Sequence, residues 1–184
     1  ETPGRSGVDL TGDAAMRSVV GHLADLGHRR IGHFAARYPK LTFRNRRAAF
    51  LAELERRGLA GDPLRHAAST FEIEAATEAA KSLIATGVTA IACDDDLLAG
   101  AAYRAARRLG LAIPDDLSVV GFNDIEFARA LHPELTTVHI PAGTLGREAT
   151  RRLLDKLDGK PARSGPAIVE LRLVLRQSTA VPRR

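Results

Sequence analysis

Two groups of polar residues follow short apolar segments in the middle of the chain, and their types suit the binding of a polar ligand. Asp94–Asp96 follow the apolar, partly β-branched run Val88–Cys93, and Asn123 and Asp124 follow the run 117–122. Carboxylate and amide oxygens accept hydrogen bonds, and an amide nitrogen also donates them. Such side chains suit hydroxyl groups on a ligand, although the aspartates equally suit a helix N-cap and the asparagine an Asx turn.

The residues between these two groups predict a β-α-β unit. The segment 97–109 is rich in alanine and leucine, and Gly110 after it is typical of a helix C-terminus. Two strands joined in this way are almost always parallel, with a right-handed crossover. Both polar groups are therefore expected at one edge of a sheet, and the carboxyl edge of an open α/β sheet is where ligands bind.

Apolar periodicity extends this alternation along the rest of the chain. The predicted helices span 13–26, 44–57, 72–86, 97–109 and 143–157, and the predicted strands span 31–36, 64–69, 88–93, 117–122, 136–140 and 168–175. Residues 125–135 are expected to be irregular. Strands that alternate with helices predict an α/β fold built on a doubly wound parallel sheet.

The composition is that of an ordinary soluble domain. The chain has 184 residues, of which 45% are hydrophobic and 27% charged, and its formal net charge is +5. The arginines are scattered over predicted helix exteriors, so we interpret them mainly as a solvated surface that attracts polyanions weakly. No apolar run approaches the length of a membrane span, and no signal-peptide segment opens the sequence. We expect a cytoplasmic protein with no membrane partner.

Motifs of the common enzyme classes do not occur in the sequence. There is no Gly-x-Ser-x-Gly elbow, no Gly-x-Gly-x-x-Gly after a strand, no P-loop and no His-Glu-x-x-His. The single cysteine, Cys93, cannot form an internal disulfide, and the six histidines are dispersed rather than set at metal-ligand spacing. We expect no enzyme activity, no catalytic residue, no metal and no cofactor.

Six short motifs occur in a fixed order and together carry a family resemblance. In chain order they are Leu26–Ile31, CDDDLLAGA at 93–101, LGLAIPDDLSVVGFNDI at 109–125, Pro133–Val138, Leu145-Gly146 and Leu175–Ala180. The chain resembles the effector-binding part of the LacI/GalR (lactose/galactose repressor) family from about Val8 onwards. That resemblance implies a periplasmic-binding-protein-like domain of two lobes, between which the chain crosses more than once.

The resemblance also implies how the chain is divided between the lobes. Residues 10–140 and 167–184 would form the C-terminal lobe, and 141–166 would belong to an N-terminal lobe that is otherwise missing. Residues 1–9, rich in glycine and proline, are expected to be a linker or frayed end. The family's N-terminal helix-turn-helix, through which operator DNA is bound, is expected to be absent from this chain.

Three candidate effector contacts follow from family positions. Arg46 lies where the family carries the arginine that binds effector hydroxyls or a carboxylate, and a guanidinium offers a planar fork of donors. Asp94 and Asn123 end neighbouring strands, and both are expected to contact the ligand. The family usually has asparagine at the first of these positions and aspartate at the second, so here the two types are exchanged.

Four further positions are weaker candidates. Phe71 matches a family position where an aromatic ring stacks on the ligand, although core packing would explain it equally well. Lys40 and Thr42 precede Arg46 in a predicted loop and are further candidate contacts. Ile140 falls where several members carry a polar residue, which indicates an apolar wall or no contact.

A homodimer is expected through the helix at 97–109. Apolar residues spread to its flank, and in the family this helix and the segment near Leu131 line the dimer contact. The expected interface residues are Ala99, Ala102, Tyr103, Ala106 and Leu131. The alternative is that these alanines only pack under the following loop.

The leading functional hypothesis is a sensor domain of a transcriptional repressor that binds a sugar or nucleoside and couples that binding to operator affinity. The alternative is the sugar-binding protein of an ABC transporter, which shares the two-lobe architecture. A third class, a receiver domain with Asp94–Asp96 as a magnesium pocket, needs an acidic pair after its first strand. No such pair follows 31–36.

Overall fold

The computed structural model describes residues 8–59, 65–160 and 166–183. Its strands are β1 (Val8–Leu10), β2 (Ile31–Ala36), β3 (His66–Ser69), β4 (Ala90–Cys93), β5 (Ser118–Asn123), β6 (Thr136–His139), β7 (Ala167–Val169) and β8 (Arg172–Val174). Its helices are α1 (Gly12–Asp25), α2 (Leu41–Arg56), α3 (Ile73–Ala85), α4 (Asp96–Arg108), α5 (Phe127–Ala130) and α6 (Ala142–Leu157). None of the helices in these ranges combines the length and the apolar composition that a membrane span requires.

The main sheet has six strands in the order β3-β2-β4-β5-β6-β8. The pairs from β3 through β6 are parallel, and β8 closes the edge antiparallel to β6. The central strands β2 and β4 are buried along their whole length, as strands covered on both faces must be. The predicted doubly wound α/β fold is therefore confirmed.

Helices cover both faces of this sheet and form two hydrophobic cores. Met16, Leu23 and Phe50 bury the apolar stripes of α1 and α2 against one face. On the other face, Leu83 from α3 and Leu98 from α4 belong to a second core with the strand residues that point that way. These cores fix the positions of the helix N-termini, all of which in this βα arrangement lie beyond the carboxyl ends of the strands.

The start of α2 differs from the sequence-based prediction. The helix begins at Leu41, three residues before the predicted start at Arg44. Lys40 has an extended backbone, and its carbonyl accepts hydrogen bonds from Phe43 and Arg44, so the chain turns at this point. Thr42 therefore lies in the first helical turn rather than in a loop. The segment predicted to be irregular likewise contains the short helix α5.

A second, two-stranded sheet is formed by β1 and β7. Val8 and Asp9 were assigned to a linker by the sequence, but they pair with Ala167 and Ile168. The predicted single strand at 168–175 is likewise wrong. It is broken at Glu170 and Leu171, so β7 joins the small sheet and β8 joins the main one.

Helix α6 lies beside the small sheet and buries none of its side chains. Leu157 is 74% exposed, and Leu153 and Leu154 are also exposed. Ile168 on β7 adds a further exposed apolar side chain. The amphipathic pattern of this helix therefore has an apolar face that the described residues do not cover.

At the opposite end of the main sheet, a buried histidine links the sheet to the C-terminal segment. His28 Nδ1 lies 2.9 Å from Thr89 Oγ1, and His28 Nε2 lies 2.9 Å from the carbonyl oxygen of Ala180 and 3.0 Å from Ser118 Oγ. Burial lowers the pKa of His28, and the hydrogen bond with Ala180 opposes that shift. The side chain holds the C-terminal segment against the sheet, far from the strands' carboxyl ends.

Candidate functional site

Three consecutive aspartates follow β4, and the first of them faces into the protein. Asp94 is 0% exposed. Its Oδ2 accepts a hydrogen bond from the Ala36 backbone N–H at 3.1 Å, and its Oδ1 lies 3.2 Å from His33 Nε2. Both carboxylate oxygens are therefore engaged with β2. The side chain is closed off from solvent at the edge of the sheet, and ligand contact by Asp94 stays a prediction.

Asp95 is the aspartate of the three that reaches solvent at the carboxyl edge. Its Oδ1 accepts from the Leu97 N–H at 2.8 Å, which caps α4, and its Oδ2 accepts from Asn123 Nδ2 at 2.7 Å. Burial raises the pKa of Asp95, while those two hydrogen bonds and the charge of Arg46 oppose the shift. A carboxylate can accept about four hydrogen bonds, so lone pairs remain for a ligand hydroxyl. Asp95 was not among the individual residues predicted to contact the effector.

Asp96 is buried and joins three elements beneath the site. Its Oδ1 accepts from the Thr137 hydroxyl at 2.5 Å, and its Oδ2 accepts from the Ile125 N–H at 2.9 Å. Burial raises the pKa of Asp96 to about 6, against the effect of these hydrogen bonds. Gly121 is required beside it, since a Cβ there would overlap the Asp96 carboxylate. Asp96 therefore holds the start of α4 to β6 and to the loop after β5.

Arg46 lies at the same edge, where the sequence placed it. The side chain is 4% exposed, and its Nη1 donates to the carbonyl oxygen of Asp94 at 2.7 Å. Its guanidinium carbon lies 3.5 Å from the centroid of the Phe122 ring, a cation–π arrangement. Burial lowers the pKa of Arg46, and the charges of Asp94 and Asp95 oppose this.

One donor of Arg46 has no partner. Among the described residues, its Nε is buried without a hydrogen bond. A buried N–H in this state has a cost of about 1–3 kcal/mol. This nitrogen lies beside Gly12 of α1 and is closed off from solvent, so its lack of a partner does not by itself indicate a ligand. Contact with an effector remains a prediction.

Asn123 and Asp124 end β5 in an unusual backbone conformation. Their φ angles are +114° and +56°, values that side-chain-bearing residues rarely adopt. Asp124 Oδ1 accepts from Arg176 Nη2 at 2.6 Å, and its Oδ2 lies 3.0 Å from His139 Nδ1. Burial would raise the pKa of Asp124, but the hydrogen bond and charge of Arg176, together with His139, lower it below its usual value.

An aromatic pair lies at the ends of β2 and β3. The rings of Tyr38 and Phe71 stack with centroids 5.1 Å apart and an interplanar angle of 29°. Phe71 is partly buried against the core, whereas Tyr38 is 40% exposed. Both explanations of Phe71, packing and ligand contact, therefore remain compatible with its position. Tyr38 was not among the predicted site residues.

The remaining predicted site residues differ in accessibility. Lys40 and Thr42 are exposed near the N-terminus of α2, where they could reach a ligand only from the rim. Ile140 is partly buried against the core on the α1 and α2 side. Its backbone N–H donates to the carbonyl oxygen of Asn123 at 3.4 Å, so the backbone of Ile140 adjoins the end of β5.

The predicted dimer interface is only partly on the surface. Ala99, Ala102 and Ala106 are buried in the core shared by α3 and α4, which favours packing within the chain, and their part in a dimer contact stays a prediction. Tyr103 and Leu131 are partly buried and line a cavity of about 670 Å³ with Arg104, Arg107 and Pro133 among others. The Tyr103 hydroxyl donates to the carbonyl oxygen of Pro133 at 2.9 Å.

The described residues contain no group of three or more histidine, cysteine, aspartate or glutamate side chains that could hold a metal ion. Cys93 is a buried free thiol, and burial raises its pKa well above the usual value. Its surroundings are therefore those of a small apolar side chain rather than of a reactive thiolate.

Comparison with known proteins identifies the family. The family described as periplasmic binding protein-like domain matches residues 20–179. The transcriptional regulator MalR of Streptomyces coelicolor is 36% identical over 171 residues, which cover 91% of this chain and 50% of MalR. The transcriptional repressor CytR of Escherichia coli K12 is 35% identical over 167 residues, or 90% of this chain and 49% of CytR. The chain thus spans about half the length of these relatives.

A solved structure agrees with the sequence match. The complex of the transcriptional regulator CelR with cellobiose superposes with a TM-score of 0.88 at 28% identity, over 94% of this chain and 54% of that one. The resemblance drawn from the six motifs is therefore confirmed. The chain belongs to the periplasmic binding protein-like domain family, in the form that LacI-type transcriptional regulators carry.

Proposed function

We propose that this chain is the larger part of the sugar-sensing domain of a LacI-type transcriptional regulator, with the effector bound at the carboxyl edge of the main sheet. The observation that carries the proposal is the group formed there by Arg46, Asp95 and Asn123. The guanidinium of Arg46 reaches the end of β4 through the Asp94 carbonyl, and Asp95 retains acceptor capacity beside the Asn123 amide. Donors and acceptors at fixed spacing suit the vicinal hydroxyls of a sugar or nucleoside.

The aromatic pair supports the same class of ligand. Sugars and nucleosides both have apolar faces, and an aromatic ring contacts such a face favourably. Tyr38 exposes part of its ring beside Phe71 at the ends of the strands that flank Arg46. We propose that this pair contacts the apolar face of the effector, while Lys40 and Thr42 contribute from the rim.

The uncovered face of α6 supports the proposed division into lobes. Exposed leucines on this helix and Ile168 on β7 would be costly if they stayed in water, at about 25 cal/mol per Å² of apolar surface. We propose that 141–166 packs against an N-terminal lobe formed by residues of the complete regulator that lie outside this chain. Effector binding between the lobes would bias their relative orientation, and a helix-turn-helix head would transmit this to operator DNA.

The relatives distinguish between the candidate functions. Those described above are transcriptional regulators, and neither a transporter protein nor an enzyme is among them. We therefore infer a non-enzymatic sensor that acts in the cytoplasm, and the transporter alternative is not favoured. Like most soluble oligomers, the regulator would form a two-fold dimer, with Tyr103 and Leu131 at the contact.

A reporter assay with the complete gene product tests the proposal. A gene for a fluorescent protein is placed under the control of the regulator's operator, and the cells receive cellobiose, ribose or cytidine. At least one of these classes should change expression, and Arg46→Ala should abolish that change while operator occupancy in the absence of effector is retained. An Arg46→Ala regulator with an unchanged dose-response would remove the carboxyl edge from effector recognition.

A further inference from the structure

Arg176 reaches the carboxyl edge from the C-terminal segment and contacts Asp124, the residue that follows Asn123. Its Nη2 donates to Asp124 Oδ1 at 2.6 Å, and its Nη1 donates to the carbonyl oxygen of Leu135 at 2.8 Å. The side chains of Arg176 and Asp124 are only 9% and 8% exposed. A buried pair in which each partner makes further hydrogen bonds holds its geometry more firmly than an exposed one.

The backbone around Arg176 is fixed as well. Its N–H donates to Thr136 Oγ1 at 2.9 Å. Two residues later, Ser178 Oγ accepts from the Thr136 N–H at 2.8 Å and donates to the carbonyl oxygen of Val119 at 2.6 Å. The guanidinium therefore extends from a segment that is fastened to both β5 and β6. Movement of Asp124 away from Arg176 would break a buried ion pair and leave Arg176 only its longer ion pair with Glu134, at 3.6 Å.

Asp124 in turn sets the position of Asn123. Both residues have positive φ, a conformation that costs about 1–3 kcal/mol for residues other than glycine unless the surroundings impose it. The pair of contacts from Arg176 and His139 supplies that constraint on Asp124. With the backbone turned in this way, Asn123 Nδ2 meets Asp95 Oδ2 at 2.7 Å.

We propose that Arg176 is a positioning residue of the effector site. It holds Asp124 so that the left-handed turn at the end of β5 directs Asn123 to Asp95, and it does so without touching the ligand. This inference rests on the proposed function for its biological meaning, because it concerns the same edge of the sheet. The arrangement of Asn123 itself can be tested without any ligand.

The test compares Arg176→Gln with Arg183→Gln in the 184-residue chain. Arg183 is the matched control, because it belongs to the same C-terminal segment and forms ion pairs with Asp115 and Asp116 on the surface. Nuclear magnetic resonance would follow the side-chain amide of Asn123, the backbone amides of 123–125 and the carboxyl carbon of Asp124 against pH.

Arg176→Gln should displace the Asn123 signals and raise the pKa of Asp124 by about one unit or more, since a nearby cation lowers a carboxyl pKa by about 1–3 units. In this variant the titratable groups that still face Asp124 are His139, Asp96 and, at a greater distance, Glu134. Arg183→Gln should change neither quantity. Unmoved signals at 123–125 with a lower melting temperature would mean that Arg176 only stabilises the fold, and would overturn the proposal.

Asp124→Asn provides a second variant should Arg176→Gln fail to fold. Asparagine tolerates positive φ, so the turn can form, but the ion pair with Arg176 is lost. The Asn123 side-chain amide should again be displaced, and an unchanged signal would contradict the proposal. If the displacement occurs while no sugar or nucleoside affects the complete regulator, the positioning role stands and only the proposed function fails.

Discussion

Asn123 donates a hydrogen bond from Nδ2 to Asp95 Oδ2 over 2.7 Å, and this contact joins the carboxyl ends of β5 and β4. It brings an amide and a carboxylate side by side at the edge of the sheet where parallel strands bind ligands. Arg46 approaches the same point from α2, through its bond to the backbone of Asp94. Donor and acceptor groups from three elements therefore converge there.

The proposed contact of Asp95 with the effector can be tested separately from its role as the N-cap of α4. Asp95→Asn keeps an acceptor for the Leu97 N–H, since asparagine caps about as well as aspartate. Asp95→Ala loses the cap at about 1 kcal/mol. We expect both variants to weaken the effector response of the complete regulator, but only the alanine variant to lower the melting temperature clearly. An unchanged effector response in the Asp95→Asn variant would show that the charge of Asp95 does not contribute to effector binding.

Arg46→Ala should affect both stability and effector recognition. The substitution removes the guanidinium from the Phe122 ring and from the Asp94 carbonyl, and loss of a buried charged contact to ligand costs about 2–5 kcal/mol. That range corresponds to a loss of about thirtyfold to several thousandfold in effector affinity. Arg44→Ala, an exposed position on the same helix, is the control. Equal dose-response curves for the two variants would contradict the assignment.

Asp96 should give the fold a distinctive pH dependence. Its pKa rises from 3.8 to about 6 on folding, so between these values the folded state binds more protons than the unfolded state. The free energy of unfolding therefore falls as pH rises through this window, by up to about 3 kcal/mol. Asp96→Asn removes this ionisation, and its amide can still bond to Thr137 and Ile125.

The measurement is urea unfolding of wild type and Asp96→Asn at pH 4 and pH 7. We expect the wild type to lose stability relative to the variant on going to the higher pH. Other titrating groups contribute equally to both proteins, so the difference isolates Asp96. A constant difference between the two proteins across this range would show that Asp96 titrates normally in the folded state.

The surface lined by Tyr103 and Leu131 should mediate self-association. Leu131→Arg places a charge in the cavity beside Tyr103, and a desolvated unpaired charge opposes close contact. Sedimentation over a concentration series should show a dimer for the wild type and a dissociation constant raised about tenfold or more for the variant. Leu157→Arg on α6 is the comparison. A dimer weakened only by the α6 substitution would place the interface there instead.

The fold was largely predictable from the sequence because its signals are local. The alternation of 88–93, 97–109 and 117–122 determines a parallel unit whatever the rest of the chain does. The break at Glu170 was not predictable, because both halves of 168–175 have apolar character. The two halves differ only in their partner strands, because β7 pairs with β1 and β8 pairs with β6. Such pairing depends on tertiary structure and not on the local sequence.

The sequence predicted which edge of the sheet carries the polar cluster, but not how its individual side chains are arranged. Three adjacent aspartates all suit a sheet edge, and the sequence does not tell which of them turns inward; here Asp94 bonds to Ala36 and Asp95 reaches solvent. A similar ambiguity affected Ala102. Small residues on a helix permit close approach to a partner protein or to another helix of the same chain, and here α3 is the neighbour.

The central claim is that the effector binds at the carboxyl edge, and shift mapping by nuclear magnetic resonance tests it most directly. Cellobiose, ribose and cytidine would be titrated into the 184-residue chain. Half of a cleft buries little of a ligand, so we expect affinities on the order of millimolar. The account predicts that perturbed signals will centre on Asp95, Asn123 and Tyr38. Perturbation confined to the cavity beside Tyr103 and Leu131, with Asp95 and Asn123 unmoved, would contradict it.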